Sequence, residues 1–151
     1  REHPFDGFAI GGSLGKNKLE MVSMLSSLMP EVPNEFPVHL LGIGDLPSLE
    51  ATIPLGIDTF DSSYPTKCAR HGTVFTKYGP LKITKSIYKN DHRPIDDSCS
   101  CHTCQNYTIA YLNHLFLSNE HIAHSLASIH NLHFMVKFME NKRKMILNDE
   151  I

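Results

Sequence analysis

Gly7-Phe8-Ala9-Ile10-Gly11-Gly12 is a short apolar run closed by glycines, the pattern of a buried parallel strand. Next, Lys18 to Met29 carries apolar residues at 21, 22, 25, 28 and 29. That is one helical face, and Pro30 ends it. A linker with Pro30, Pro33 and Pro37 leads into Val38 to Ile43, a second apolar strand that again ends in glycine, at Gly42 and Gly44. Leu46 to Leu55 reads as a short helix with Leu46, Leu49 and Ile53 on one side. Ile57 to Phe60 is a third strand, and Asp61 stands at its C-terminal end. Strand, helix, strand, helix, strand with short turns predicts parallel βα units. Glycine or polar residues at the C-terminal ends of successive parallel strands are the layout of a (β/α)8 barrel mouth. Three strands cannot close a barrel, so the expected fold class is α/β, part of a barrel.

After Asp61 the pattern changes. Thr73 to Lys77 and Leu81 to Tyr88 read as a hairpin across Tyr78-Gly79-Pro80. Asn106 to Leu117 is a helix with apolar or aromatic residues at 107, 111, 112 and 115, and His121 to Ile129 is another. Asn131 to Leu147 is a longer amphipathic helix. It is expected to turn Leu132, Met135, Val136 and Met139 inward, with Lys142, Arg143 and Lys144 near its end, where cations suit the dipole.

Between hairpin and helices lies Cys99-Ser100-Cys101-His102-Thr103-Cys104. The C-x-C-x2-C spacing is too crowded for independent disulfides and well suited to a metal. Three thiolates and one imidazole complete a tetrahedral Zn2+ and leave no position for water or substrate, so the ion is expected to be structural. Candidate fourth ligands are His102, His114, His121, His124, His130 and His133. His102 lies inside the tight knuckle, a poor place to aim at the same ion. His130 stands before Asn131-Leu132, where a helix start would face back toward the knuckle. Cys68 is the remaining cysteine, and the thiols fit a reducing compartment.

The 151 residues suffice for one ordinary domain, with 41% hydrophobic and 20% charged residues, the balance of a soluble globular chain. No apolar run is long enough to span a bilayer, and the start, Arg1-Glu2-His3-Pro4, is polar without a secretion signal. A cytoplasmic location is the expectation. Without an initiator Met, the chain is expected to be part of something longer, or processed. The net charge of −2 hides an asymmetry: Lys67, Arg70, Lys77, Lys82, Lys85, Lys89 and Arg93 are offset between Pro65 and Arg93 by Asp91 alone. Such a run is either a solvated face or a patch that tracks phosphates.

The third strand carries two carboxylates: Asp58 within it, sharing a face with Phe60, and Asp61 at the start of the following loop. Asp58 suits a cap or ion pair at the strand. Asp61 sits where a barrel strand delivers a catalytic group, which as an ionised carboxylate can be a base, a metal ligand or a nucleophile at a sugar carbon. Gly11-Gly12-Ser13-Leu14-Gly15-Lys16-Asn17 lacks the full phosphate-loop pattern. Its glycines better serve close approach of backbone to a flat ligand.

Together, Ala9-Ile-Gly-Gly12, Leu40-Leu-Gly-Ile-Gly44, Gly56-Ile-Asp-Thr-Phe-Asp61, Pro65-Thr-Lys-Cys-Ala-Arg-His-Gly72, the cysteine run and Ile129-His-Asn-Leu132 stand in the order seen in tRNA-guanine transglycosylases (queuine tRNA-ribosyltransferases). The chain resembles the C-terminal part of that family over roughly residues 5 to 146. The resemblance implies the last strands of a (β/α)8 TIM barrel with a zinc-binding subdomain after the final strand. The implied division is 1–66 for the last βα units, 67–129 for the basic hairpin and zinc subdomain, and 130–151 for a closing helix and tail.

The implied activity is exchange of guanine at the wobble position of tRNA for a 7-deazaguanine, queuine or pre-queuosine 1. Asp61 matches the nucleophile that forms a covalent ester with the ribose. The aspartate that handles the purine proton in the family has no match in this chain, so the chain alone is expected to be inactive. Gly11, Gly12, Ser13, Leu41 and Gly42 match positions lining the base slot. Lys67 and Arg70 match positions that contact the anticodon loop, though the family more often has Arg where Lys67 stands, and Lys lacks the bidentate fork. Cys99, Cys101, Cys104 and His130 match the ligands of one structural zinc per chain. The family is commonly dimeric, with tRNA and a free base as partners. Bacterial members usually read Gly-Gly-Leu-Ala-Val-Gly-Glu where this chain has Gly11-Gly12-Ser13-Leu14-Gly15-Lys16-Asn17. Loss of that acid points to queuine as the cognate base. The competing expectation is a non-catalytic, zinc-stabilised tRNA-binding subunit, against which the retention of Asp61 argues.

Overall fold

The computed structural model describes residues 5–12 and 14–151. The elements run β1 (Phe8–Ile10), α1 (Lys18–Leu28), β2 (Val38–Leu40), α2 (Leu46–Thr52), β3 (Thr59–Phe60), α3 (Tyr64–Arg70), β4 (Thr73–Thr76), β5 (Gly79–Lys82), α4 (His102–Asn106), α5 (Ile109–Leu117) and α6 (Ile122–Leu147). They fall into two units, Arg1–Tyr64 and Pro65–Ile151. The sequence suggested three segments. The helix expected to begin at Asn131 is the continuation of one that begins at Ile122.

In the first unit β1, β2 and β3 form a parallel sheet in sequence order, as the βα pattern predicts. Ala9 pairs with His39 and His39 with Thr59, while Ile10, Leu40 and Phe60 share the next row. Period-2 alternation sends Val38 and Leu40 to one face, where both are buried, and His39 to the other. Met21 and Leu25 of α1 are also buried, and they join Val38, Leu40 and Ile57 in one core. The helix starts where Asn17 accepts the Glu20 N–H at 3.0 Å and the Glu20 carboxylate accepts the Lys16 N–H at 2.8 Å, a reciprocal cap. Asp45 caps α2 by accepting the Ser48 N–H. Asp58 has the structural role the sequence allowed for it. Its carboxylate accepts the Val38 N–H at 2.7 Å and its own N–H donates to the Val38 carbonyl. This closes the N-terminal end of the β2–β3 pair.

In the second unit β4 and β5 form an antiparallel hairpin from Thr73 opposite Lys82 to Thr76 opposite Gly79. The turn falls at Lys77-Tyr78, one residue earlier than the sequence suggested. The Thr76 hydroxyl closes it, donating to the Gly79 carbonyl and accepting the Tyr78 N–H. The core joins Val74, Ile83, Ile95, Ile109, Leu112, Leu115 and Leu126 with the small Ala69, Ala123 and Ala127.

Helix α6 departs from the sequence expectation in two ways. It is one helix, since neither Gly nor Pro interrupts residues 122 to 147. Its buried positions are Ala123, Leu126, Ala127, His130 and Asn131, a stripe spaced by three and four. Leu132 and Val136, expected inward, are 47% and 57% exposed. Apolarity alone picks the wrong stripe, because two of the buried residues are polar. Asn131 satisfies every donor and acceptor it needs: its carbonyl oxygen accepts the Phe75 N–H at 3.0 Å, and its amide donates to the carbonyls of Pro65 and Thr73, both at 3.0 Å. One side chain thus ties α6 to β4 and to the start of α3.

Asn131→Ala leaves one buried N–H and two carbonyls without their partner. It is expected to cost about 2–4 kcal/mol, seen in urea unfolding as a lower midpoint at unchanged slope.

Candidate active site and metal centre

Because β1, β2 and β3 are parallel, their C-terminal ends lie on one edge of the sheet. That edge gathers Gly11 after β1, Leu41 and Gly42 after β2, and Asp61 after β3. The Leu41 N–H donates to the Ile10 carbonyl at 2.8 Å, which sets Leu41 against Gly11. A Cβ on Gly11 would lie 2.6 Å from Leu41 Cδ1, so a side chain there would displace Leu41. Gly12 follows Gly11 and is exposed. Ser13, expected with this group, lies outside the described residues.

Gly42 takes a left-handed φ of 76°, a turn that glycine makes without strain. Its N–H donates to Asp61 Oδ1 at 3.0 Å. His39 Nε2 also reaches Oδ1, at 3.1 Å, while His39 Nδ1 lies 2.8 Å from the Thr59 hydroxyl. The Gly42 N–H first, then His39, hold the Asp61 carboxyl below the usual carboxylate range. Asp61 is therefore an anion at neutral pH. Oδ2 accepts no hydrogen bond from the described residues, and the side chain is 60% exposed. An ionised carboxylate with one oxygen tied and one open is equipped to attack an electrophilic carbon.

Sequence reasoning singled out Asp61 but not His39, which the structure sets beside it. The available signal was the strand period: in β2 a histidine between two core residues faces the other side of the sheet, and parallel pairing sets it beside Thr59, two residues before Asp61.

Lys67 and Arg70 lie in the last turn of α3, exposed and three residues apart, so they share a helix side. Elsewhere in the basic stretch some charge is already engaged. Arg93 forms a two-toothed pair with Asp91, at 3.0 and 2.8 Å. Lys82 donates to the His71 carbonyl, and Lys77 lies over the Tyr78 ring.

Cys99, Cys101, Cys104 and His130 converge, with all four ligating atoms within 4.8 Å of one another. His130 is on the third turn of α6, not at the helix start, and it is fully buried. Its Nδ1 lies 3.8, 3.6 and 3.3 Å from the sulfurs of Cys99, Cys101 and Cys104. Tetrahedral zinc, with Zn–S about 2.3 Å and Zn–N about 2.0 Å, places sulfur and nitrogen about 3.5 Å apart. The donor set therefore fits that ion. The tautomer fits as well. His130 Nε2 lies 2.8 Å from the Phe75 carbonyl. A carbonyl only accepts, so Nε2 carries the proton and Nδ1 offers its lone pair to the sulfurs. Cys101 is the N-cap of α4 and its sulfur accepts the Cys104 N–H. The Thr103 hydroxyl donates to the Leu126 carbonyl at 2.7 Å and pins the knuckle to α6. His102, inside the knuckle, is exposed and turned to Asn106.

Burial pushes the Cys99 and Cys104 thiols up and the His130 imidazole down. Cys99 and Cys104 are thereby favoured as neutral thiols when no cation is bound. A divalent ion is what stabilises them as thiolates, and its binding releases protons. Metal affinity is thus expected to fall steeply as pH is lowered through the neutral range, measured by competition with a chromophoric chelator. Chelation is expected to abolish hydrogen-exchange protection at Phe75, Thr76 and Cys104 while leaving that of Leu40, which sits in a separate core. Equal protection with and without chelator would exclude a structural metal.

Among the described residues no helix is long and apolar enough to cross a membrane. The family model described as Queuine tRNA-ribosyltransferase matches residues 1–151. A queuine tRNA-ribosyltransferase of Chlamydia felis is 58% identical over 151 residues, covering 99% of this chain and 41% of the relative. That of Protochlamydia amoebophila is 56% identical over 150 residues, covering 99% and 39%. That of Chlamydia trachomatis serovar D is 55% identical over 149 residues, covering 98% and 40%. The chain spans about two-fifths of the length of these curated relatives. With the parallel sheet edge, the Asp61 carboxylate and the Cys3His cluster all in place, the chain belongs to the queuine tRNA-ribosyltransferase family.

Proposed function

We propose that this chain is the C-terminal, nucleophile-bearing part of a tRNA-guanine transglycosylase, a glycosyltransferase of queuosine tRNA modification. The observation that carries the proposal is Asp61, an anionic carboxylate at the C-terminal edge of the sheet with Oδ1 held and Oδ2 open. In this reading the three sequential parallel strands are the last strands of a (β/α)8 barrel, and the catalytic edge is the barrel mouth.

Asp61 Oδ2 attacks C1′ of the wobble guanosine. The C1′–N9 bond breaks, its electron pair leaves with the purine, and an ester joins ribose to enzyme. The carboxylate stabilises the oxocarbenium character that develops as the bond breaks. Displacement of Asp61 by N9 of the incoming 7-deazaguanine restores the carboxylate. Two inversions retain the sugar configuration. The group that moves the purine proton comes from the remaining length of the family protein, so the chain by itself is inactive. Gly11, Gly12, Leu41 and Gly42 line the slot for the flipped base, where small residues let backbone approach its plane. Queuine is the proposed cognate base, since Lys16 and Asn17 stand where an acid would favour an aminomethyl cation. Lys67 and Arg70 bind the anticodon loop, with Lys67 contributing charge but no bidentate base contact. One zinc ion, held by Cys99, Cys101, Cys104 and His130, neutralises the thiolates and fixes the second unit. The working enzyme is a cytoplasmic dimer.

Full-length protein carrying this segment, mixed with tRNA bearing wobble guanine, is expected to give a protein–RNA adduct on a denaturing gel. Asp61→Ala and Asp61→Asn are expected to abolish it and lower exchange by at least about a thousandfold. Persistent tRNA binding by the wild type with no adduct would favour a non-catalytic tRNA-binding subunit. Lys67→Ala and Arg70→Ala are expected to weaken tRNA binding, each reducing the salt dependence of log K by about 0.7–0.9.

A further inference from the structure

The hydrogen bonds around Asp61 are not symmetric. Both known donors, the Gly42 N–H and His39 Nε2, meet the same oxygen, Oδ1. An ionised carboxylate only accepts, so His39 Nε2 carries the proton of the shared bond. The other ring nitrogen faces the Thr59 hydroxyl at 2.8 Å. A hydroxyl both donates and accepts, so Thr59 holds the ring whether Nδ1 is bare or protonated. Thr59 is the register neighbour of His39 in the parallel pair, which gives the ring a fixed base on the sheet. Thr59, His39 and Asp61 thus form one hydrogen-bonded line across β2 and β3.

We propose that His39 is a positioning residue for Asp61: with the Gly42 N–H it clamps Oδ1, leaves Oδ2 as the attacking atom, and makes the resulting ester easier to break. This rests on the base-exchange reading above. When Oδ2 bonds to C1′, Oδ1 becomes the carbonyl oxygen of an ester. The two hydrogen bonds persist but weaken, because a neutral carbonyl is a poorer acceptor than a carboxylate. When the incoming base displaces the ester, the electron pair of the C1′–Oδ2 bond returns to the carboxylate. Negative charge redevelops on Oδ1 while both donors are already in place. The clamp therefore favours departure of Asp61 over persistence of the ester. Loss of the His39 donor leaves Asp61 able to attack, but makes it a poorer leaving group.

The test compares wild type, His39→Ala and His39→Gln in the full-length protein carrying this segment. Adduct is formed with substrate tRNA in the absence of free base, then chased with excess guanine. His39→Ala is expected to form adduct and to release it about tenfold more slowly, the size of one charge-assisted hydrogen bond. His39→Gln, whose amide restores a donor on a side chain of similar reach, is expected to recover most of the chase rate. A wild-type chase rate in His39→Ala overturns the proposal. So does an equal loss of adduct formation and thermal stability in both variants, which marks His39 as structural. Absence of any Asp61-dependent adduct in the wild type overturns the base-exchange reading itself, a result separate from either of these.

Discussion

The buried imidazole of His130 is the contact on which the second unit depends. Its Nε2–H is spent on the Phe75 carbonyl, and its Nδ1 is thereby aimed at three sulfurs from one knuckle. The next residue, Asn131, holds the Phe75 N–H. Two consecutive residues of α6 thus take both backbone groups of one β4 residue. A Phe75 peptide facing a helix has no strand partner on that side, and buried backbone groups without partners are costly. His130 and Asn131 meet that requirement, and the metal ligand set follows from the ring orientation it imposes. A metal at the cluster then closes a chain of constraints from hairpin through helix to cysteine knuckle.

The first unit is organised by a different constraint. Parallel pairing in sequence order leaves the three strand ends on one edge, so Gly11, Gly42 and Asp61 become neighbours although up to fifty residues separate them in the chain. The sheet uses its two carboxylates oppositely. Asp58, at the start of β3, closes the β2–β3 pair through both backbone groups of Val38. Asp61, at the end of the same strand, is turned outward and kept ionised by a left-handed glycine and a histidine. Three residues along the chain separate a carboxylate tied into the backbone from one left open to solvent.

Much of this was legible in order. Apolar runs ending in glycine located β1 and β2. Position along the third strand set Asp58 apart from Asp61, and cysteine spacing pointed to a cluster able to hold a metal. Other features were not legible, for physical reasons. The stripe buried by α6 contains two alanines and two polar residues, so hydrophobic periodicity pointed to Leu132 and Val136, which are exposed. The sequence suggests two helices, 121–129 and 131–147, with His130 at the start of the second, whereas one continuous helix places His130 on the third turn with its ring against Phe75 of β4. Helix α3 was hidden within a stretch read for its charge.

The sequence by itself determined the βα order, the spacing of the three cysteine donors, and the presence of an acid at a strand end. These are local properties, written in periodicity and side-chain chemistry. Tertiary structure alone decided which acid oxygen is open, which nitrogen of His130 faces the sulfurs, and that His39 touches Asp61. Each depends on strand register or on a long-range hydrogen bond to a backbone carbonyl. A chain read one residue at a time does not display such contacts, because the partners meet only when the sheet and the hairpin have formed.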